Sequence, residues 1–221
     1  MQFVFDHDLH VHSTLSTCCV DALQTPARIL RYAQENGLST VCLTNHFWDE
    51  TIECASDWYR AQNFSHLRRA LPLPQAEGLR FLFGCETELD CRLTLGLSHE
   101  RMDSFDFIAI PVTHFHKVGF TLSEEDASCA EKKAAAWIRR VRAVLEMDLP
   151  FHKVGLAHLA CPLISQFDRE EFLRVLSLLP QSELFDIFRR AALLGVGIEI
   201  NTRDFLFSPQ EADVIDRKSV V

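Results

Sequence analysis

The sequence predicts an α/β protein built on parallel strands, and three observations lead there. Short apolar, β-prone runs recur along the chain with helices or long loops between them. The helical stretches carry recognisable start and stop signals. Metal-capable side chains stand at the C-terminal ends of successive apolar runs, where (β/α) barrels build their sites. No G-x-G-x-x-G or Walker-type loop follows the first run, so a nucleotide-binding open sheet is not expected.

The first run, from Phe3-Val4-Phe5 to Val11, contains Asp8, His10 and His12. In a strand, positions i and i+2 share a face, so Asp8, His10 and His12 are expected to line up side by side. Residues 13–24 read as loop. Thr25-Pro26 opens a helix with Thr as N-cap and Pro in its first turn, Ile29, Leu30 and Ala33 form its apolar face, and Gly37 stops it. Ser39 to Leu43 is a short buried strand leading into Thr44-Asn45-His46. Residues 49–78 form a long aromatic-rich interruption with a short helical piece at 67–71, the kind of excursion that usually serves function.

Arg80 to Cys85 is a third strand ending in Glu86-Thr87-Glu88. Phe105 to Pro111 is a fourth, followed by Thr113-His114. Ser123 and Asp126 make a capping box for a helix expected over 123–148. Val154 to Ala157 is a fifth strand, ending at His158. Helices at 169–179 and 182–194, the second stopped by Gly195, lead to a sixth strand over 196–200 and Asn201-Thr202-Arg203. Ser208-Pro209 starts a last helix.

Bulk properties bound the partners. The 221 residues suit one large domain, and 48% hydrophobic residues are enough for a sizeable core. With 22 Lys+Arg against 31 Asp+Glu, the net charge is −9. No basic run stands out, which argues against nonspecific binding to a nucleic-acid backbone. A small phosphorylated substrate remains compatible, because a metal supplies local positive charge. Residues 1–7 show no signal peptide and no run reaches membrane-spanning length. The eight cysteines form no C-x-x-C and read as reduced thiols. A cytoplasmic location is expected.

The strand ends then offer His10 and His12, His46, Glu86, His114 and His158 in succession. Neutral imidazoles and carboxylates are the ligands divalent metals use, and scattered core histidines would not recur at this one position. The other histidines fit less well. His116 could face the same cleft, His7 has the opposite parity to His10 and His12, His152 precedes its strand, and His66 and His99 are expected to be solvated.

These segments, Asp8-Leu9-His10-Val11-His12-Ser13, Thr44-Asn45-His46, Gly84-Cys85-Glu86, Thr113-His114 and Ala157-His158, resemble in order and spacing the motifs of the PHP family, the polymerase and histidinol phosphatase superfamily of metal-dependent phosphoesterases. The likeness spans essentially the whole chain. It implies a distorted (β/α)7 TIM-like barrel holding two or three divalent ions, zinc, manganese or iron. By resemblance, His10 and His12 bind one ion, Glu86 bridges to a second, His114 and His158 complete the second, and His46 serves a third.

Two departures from the family pattern stand out. Where the family often has an acid or His after H-x-H-S, this chain has Cys18 and Cys19, and a thiolate there would suit a soft ion. The family also closes with a seventh strand ending in Asp-x-His, which is absent here. The terminal Asp216-Arg217-Lys218-Ser219-Val220-Val221 is expected to be the in-frame translation of a sequencing adapter. Residues 1–215 are therefore expected to form one incomplete domain and 216–221 a non-native tail. Without its last strand the chain is expected to fold poorly or bind metal weakly.

The chemistry this implies is hydrolysis of a phosphate ester, a small monoester of the histidinol phosphate kind, by a metal-bound hydroxide held at Glu86, His10 and His12. Arg60, Lys117 and Arg203 are the candidate substrate contacts. The alternatives are a phosphodiesterase or nuclease of the same superfamily, and a non-catalytic metal-binding module. An amidohydrolase-like barrel would carry a metal-binding Lys on a middle strand, where this chain has His114.

Overall fold

The computed structural model describes residues 5–200. The expectations for Asn201, Arg203, the helix after Ser208 and the 216–221 tail lie outside those residues. The chain forms two compact units, Met1–Glu88 with Leu95–Ala109 and Leu89–Thr94 with Ile110–Val221.

In the first unit, β1 (His7–Val11), α1 (Pro26–Glu35) and β2 (Thr40–Leu43) follow the predicted order. Thr25 caps α1 by accepting the Arg28 N–H, and Ile29, Leu30 and Ala33 are buried. Three short elements follow: β3 (His46–Phe47), α2 (Asp57–Arg60) and α3 (Phe64–Leu67). A 3-10 turn over Arg68–Ala70 continues α3, so the helical piece in the excursion is longer and earlier than the sequence indicates. β4 (Arg80–Phe83), β5 (Cys85–Thr87) and α4 (His99–Met102) complete the unit up to β6 (Ile108–Pro111), whose first half belongs to it.

β1, β2 and β4 form a parallel sheet. Ile29, Ala33, Val41 and Leu43 pack on one side of it with Val11, Leu79 and Phe81. Each of the second and third predicted strands is interrupted and then resumes. After Leu43 and after Phe83 the ladder stops, and β3 and β5 pair with each other instead, with His46 opposite Glu86. Gly84 permits the break. A Cβ there would lie 2.5 Å from the Phe107 carbonyl oxygen and 2.7 Å from Cys42 Sγ, closer than any side chain tolerates. His46 and Glu86 thus sit within a second set of short strands, which corrects their expected place beyond strand ends.

The second unit takes up β6 and adds α5 (Ala130–Glu146), β7 (Val154–Ala157), α6 (Arg169–Ser177), α7 (Gln181–Leu194) and β8 (Gly197–Ile198). β7 and β8 are parallel, and the Val112 N–H donates to the Ala157 carbonyl. α5 packs on α6 and α7, and Trp137, Val141, Val144, Phe172, Val175 and Leu184 on these helices are buried.

The predicted 123–148 helix is shorter at its start. Ser123 and Asp126 do bond each other, with Oγ donating to Oδ2 at 2.7 Å and the Asp126 N–H to Oγ at 3.0 Å. They lie at the start of a 3-10 turn over Asp126–Ser128, whose N-cap position is Glu125. Cys129 is fully extended, at φ −161° and ψ 164°, and α5 begins after it. Gly195 ends α7 in the left-handed region, at φ 75°, which glycine enters without steric cost. The parallel strands and intervening helices are the mixed α/β architecture that the sequence predicts. No helix of the described residues is long and apolar enough to cross a membrane.

Candidate metal centre

Glu86 lies at the heart of the first unit and is fully buried. Its register opposite His46 follows from the β3–β5 pairing. Three imidazoles meet the one carboxylate: His46 Nδ1 at 2.8 Å and His12 Nε2 at 3.2 Å from Oε2, and His10 Nε2 at 3.4 Å from Oε1. The expectation that His10 and His12 share a face holds in effect, since both reach Glu86. The Asp8 carboxylate accepts the His10 backbone N–H at 3.1 Å.

Electrostatics divides the histidines. Burial would raise the Glu86 carboxyl, but the charges of His46 and His10 and a hydrogen bond from His10 hold it well below the usual range. Burial pushes His12 down to about 4, aided by its histidine neighbours and opposed by Glu86. His46 is also buried, yet the Glu86 charge and a hydrogen bond with Cys18 raise it to about 9. Near neutral pH, Glu86 is ionised, His46 carries a proton and His12 is neutral.

The tautomer of His12 is fixed by residues that sequence reasoning passed over. The Ser13 backbone N–H can only donate, and it meets Asn45 Oδ1 at 2.8 Å. That oxygen can only accept, so the Ser16 hydroxyl proton goes to it at 2.9 Å. Ser16 Oγ then accepts the His46 N–H at 3.0 Å and, at 2.8 Å, the Nδ1–H of His12. Neutral His12 therefore presents a lone pair at Nε2, facing a carboxylate oxygen 3.2 Å away. Two acceptors facing each other are stabilised by a cation shared between them. The donor set fits a divalent ion on this ground, and the ligand atoms of His10, His12 and Glu86 all lie within 4.8 Å of one another. A second group in the same unit, His12, Cys18 and His46, meets the same limit.

The aromatic excursion reaches this cluster. Trp58 packs edge-on against His46, with ring centroids 4.8 Å apart, and Tyr59 at 5.8 Å. The Tyr59 hydroxyl donates to Glu88 at 3.2 Å. Arg60, by contrast, is exposed, with its guanidinium 3.1 Å from Asp57. His66 departs from its expected solvation: Nε2 donates to the Leu15 carbonyl at 2.7 Å.

In the second unit His114 is buried, and its ring lies 5.0 Å from that of His158. The Thr121 hydroxyl donates to the His114 carbonyl and the Thr113 hydroxyl to the His158 carbonyl. His158 has a left-handed backbone, at φ 58°. Its N–H donates to Glu199 Oε2 at 2.7 Å, and its Nδ1 lies 3.7 Å from the same oxygen. Glu199 is a candidate site residue that the sequence alone did not single out. The available signal was a lone carboxylate in an otherwise apolar strand. Lys117 is half-buried, and its backbone N–H donates to the His114 carbonyl; His116 is exposed.

Comparison with known proteins bears on what such a centre belongs to. No curated protein sequence matches the chain. Among solved structures, the crystal structure of a histidinol phosphate phosphatase from Lactococcus lactis subsp. lactis Il1403, complexed with zinc, L-histidinol and phosphate, is similar. The TM-score is 0.52 at 13% identity, over 97% of this chain and 94% of that one, a likeness of fold. The PHP domain family model matches residues 8–203. With nearly all of its length matched, from the first histidine strand onward, the chain belongs to the PHP family.

Proposed function

We propose that the protein is a metal-dependent phosphoesterase acting on a small phosphomonoester. The observation that carries this reading is the buried Glu86 carboxylate met by three imidazoles. Ions bound there would supply Lewis acidity, making water nucleophilic at neutral pH and offsetting charge on the phosphoryl group. The ligands proposed are His10, His12, His46 and Glu86 in the first unit and His114 and His158 in the second. Two or three divalent ions are proposed, with zinc first among them; the similar phosphatase is a zinc complex.

The chain's own residues do the preparatory work. Ser16 and Asn45 hold His12 in the tautomer that offers Nε2. Second-partner hydrogen bonds of this kind orient a ligand and raise its basicity. Glu86 stays ionised in a buried setting because His46 and His10 neutralise it. Trp58 and Tyr59 cover one side of His46 and shield it from water, which strengthens every charge interaction at the cluster. Lys117, Arg60 and Arg203 are the proposed phosphate contacts. Histidinol phosphate is the first substrate to try, since the similar structure holds L-histidinol and phosphate.

The test is metal analysis of the purified protein, followed by assay against phosphomonoesters and phosphodiesters. Turnover of a monoester, abolished by His10→Ala and by Glu86→Ala, is the expected result. Full activity in either variant would overturn the reading, and preference for a diester would move it to the nuclease branch.

A further inference from the structure

The Cys18 thiol stands beside two of the histidines just described, and the loop that carries it is held in place. Ser16, two residues earlier, bonds His12, Asn45 and the His46 backbone. The Thr17 N–H donates to Gln62 Oε1 at 2.9 Å, and the Leu15 carbonyl accepts from His66. The Cys19 N–H closes the turn on the Ser16 carbonyl at 2.9 Å. The network that orients His12 and His46 therefore also positions Cys18. Its sulfur and one nitrogen of each histidine lie within 4.8 Å of one another. A tetrahedral ion with Zn–N of about 2.0–2.1 Å and Zn–S of about 2.3 Å draws such atoms together with small side-chain movements.

We propose that Cys18, His12 and His46 form a thiolate-containing position that selects a soft divalent ion, zinc or cobalt, over hard ions such as magnesium or manganese. Sulfur sets this preference, because thiolate favours soft and borderline ions while oxygen ligands suit hard ones. Cys18 is exposed and His46 buried, so the ion would be anchored on its inner side by nitrogen and on its outer side by sulfur. Three protein ligands leave a fourth position open, the arrangement of catalytic rather than structural zinc sites. Because Nδ1 of His12 is bonded to Ser16, only Nε2 is available to an ion. One ion at a time can use it, either with Cys18 and His46 or with His10 and Glu86. The sulfur would bind as thiolate, its proton leaving to solvent, and supply the electron pair of the new bond.

The proposal deepens the metal-centre reading above, and the test separates the two. The full chain is titrated with cobalt(II) alone and followed by absorbance. Ligand-field bands report binding, and a near-ultraviolet thiolate-to-cobalt charge-transfer band reports sulfur ligation. The expected result is both signals in the parent protein, loss of the charge-transfer band in Cys18→Ala, and its retention in Cys19→Ala. Zinc affinity in Cys18→Ala should fall by at least the roughly 10-fold that loss of an outer partner alone costs. Ligand-field bands without charge transfer in the parent, or a charge-transfer band that survives Cys18→Ala, would overturn the Cys18 assignment while leaving the metal centre standing. No cobalt bound at all would overturn both. Alkylation mapped by mass spectrometry provides a check on the unsubstituted chain. Zinc should slow labelling of Cys18 and leave the equally exposed Cys54 unaffected; equal labelling with and without zinc counts against the proposal.

Discussion

Glu86 in the first unit and Arg140 in the second are both removed from solvent, at 0% and 1% exposure, yet they are satisfied in different ways. Arg140 donates to backbone carbonyls: Nε to that of Val112 at 2.9 Å, Nη1 to those of Thr121 and Asp90 at 2.7 and 3.1 Å, and Nη2 to that of Leu89 at 3.1 Å. These partners cannot titrate, and each needs a donor when buried. The guanidinium itself stays charged at any physiological pH. Such a charge ties segments of chain together. Glu86 meets three imidazoles, side chains that gain and lose protons and are also metal ligands by type. Burial alone is common to the two, so it does not mark a functional group. The chemistry of the partners does.

The largest effect expected from breaking this contrast is at Glu86. Glu86→Gln keeps the shape and removes the charge, so metal uptake should be lost while the protein stays folded. Elemental analysis alongside circular dichroism would show it, and a Gln variant that loads metal normally would remove the distinction. Arg140→Met should do the reverse. Leaving several buried carbonyls without their donor should cost about 3–5 kcal/mol of unfolding free energy, measured by urea denaturation of the metal-free protein. A loss below about 1 kcal/mol, the worth of an exposed pair, would show that Arg140 does not hold the unit together.

Ser16→Ala lies between these cases, because it removes bonds to Asn45, His46 and His12 together. We expect about 1–3 kcal/mol of destabilisation and metal affinity weaker by roughly 10–100-fold, the second read by competition with a chelator. The smallest effect concerns Asp49, a buried carboxylate in the first unit that accepts from Ser98, with Arg101 3.8 Å away. Burial acts to raise it, but hydrogen bonds from Ser98 and Thr51 and the Arg101 charge hold it below the ordinary value of 3.8. A depressed carboxyl contributes stability that is present above the unfolded value and lost as pH falls through the folded one. The melting-temperature gap between parent and Asp49→Asn should therefore be full at neutral pH and close on acidification. A gap unchanged across that range would exclude the carboxylate's charge as its source.

Much of the centre was legible from spacing. His10, His12, His46 and Glu86 could be named as candidates because imidazoles and carboxylates are common metal ligands, and because apolar runs mark the strands that carry them. The α1 cap at Thr25 and the α7 stop at Gly195 were legible for the same local reason. Ser123–Asp126 shows the limit of such signals. The two side chains bond each other, but the carboxylate takes the Ser123 hydroxyl rather than its backbone N–H, and the extended backbone at Cys129 separates the pair from α5. Glu199 and Ser16 were missed because nothing in their immediate sequence distinguishes them. Glu199 acquires its role from His158, 41 residues earlier, and Ser16 from Asn45 and His46, 29 and 30 residues later.

The sequence by itself determined the order of strands and helices, the donor types and the departure at Cys18, because periodicity, caps and side-chain chemistry are local properties. Only the tertiary structure decided that the first sheet stops after Leu43 and after Phe83, and that β3 and β5 then pair to set His46 opposite Glu86. It alone decided that Ser16 dictates the His12 tautomer and that Cys18 falls within reach of two imidazoles. Those outcomes depend on backbone approach and on hydrogen-bond partners far apart in the chain, which local sequence does not encode.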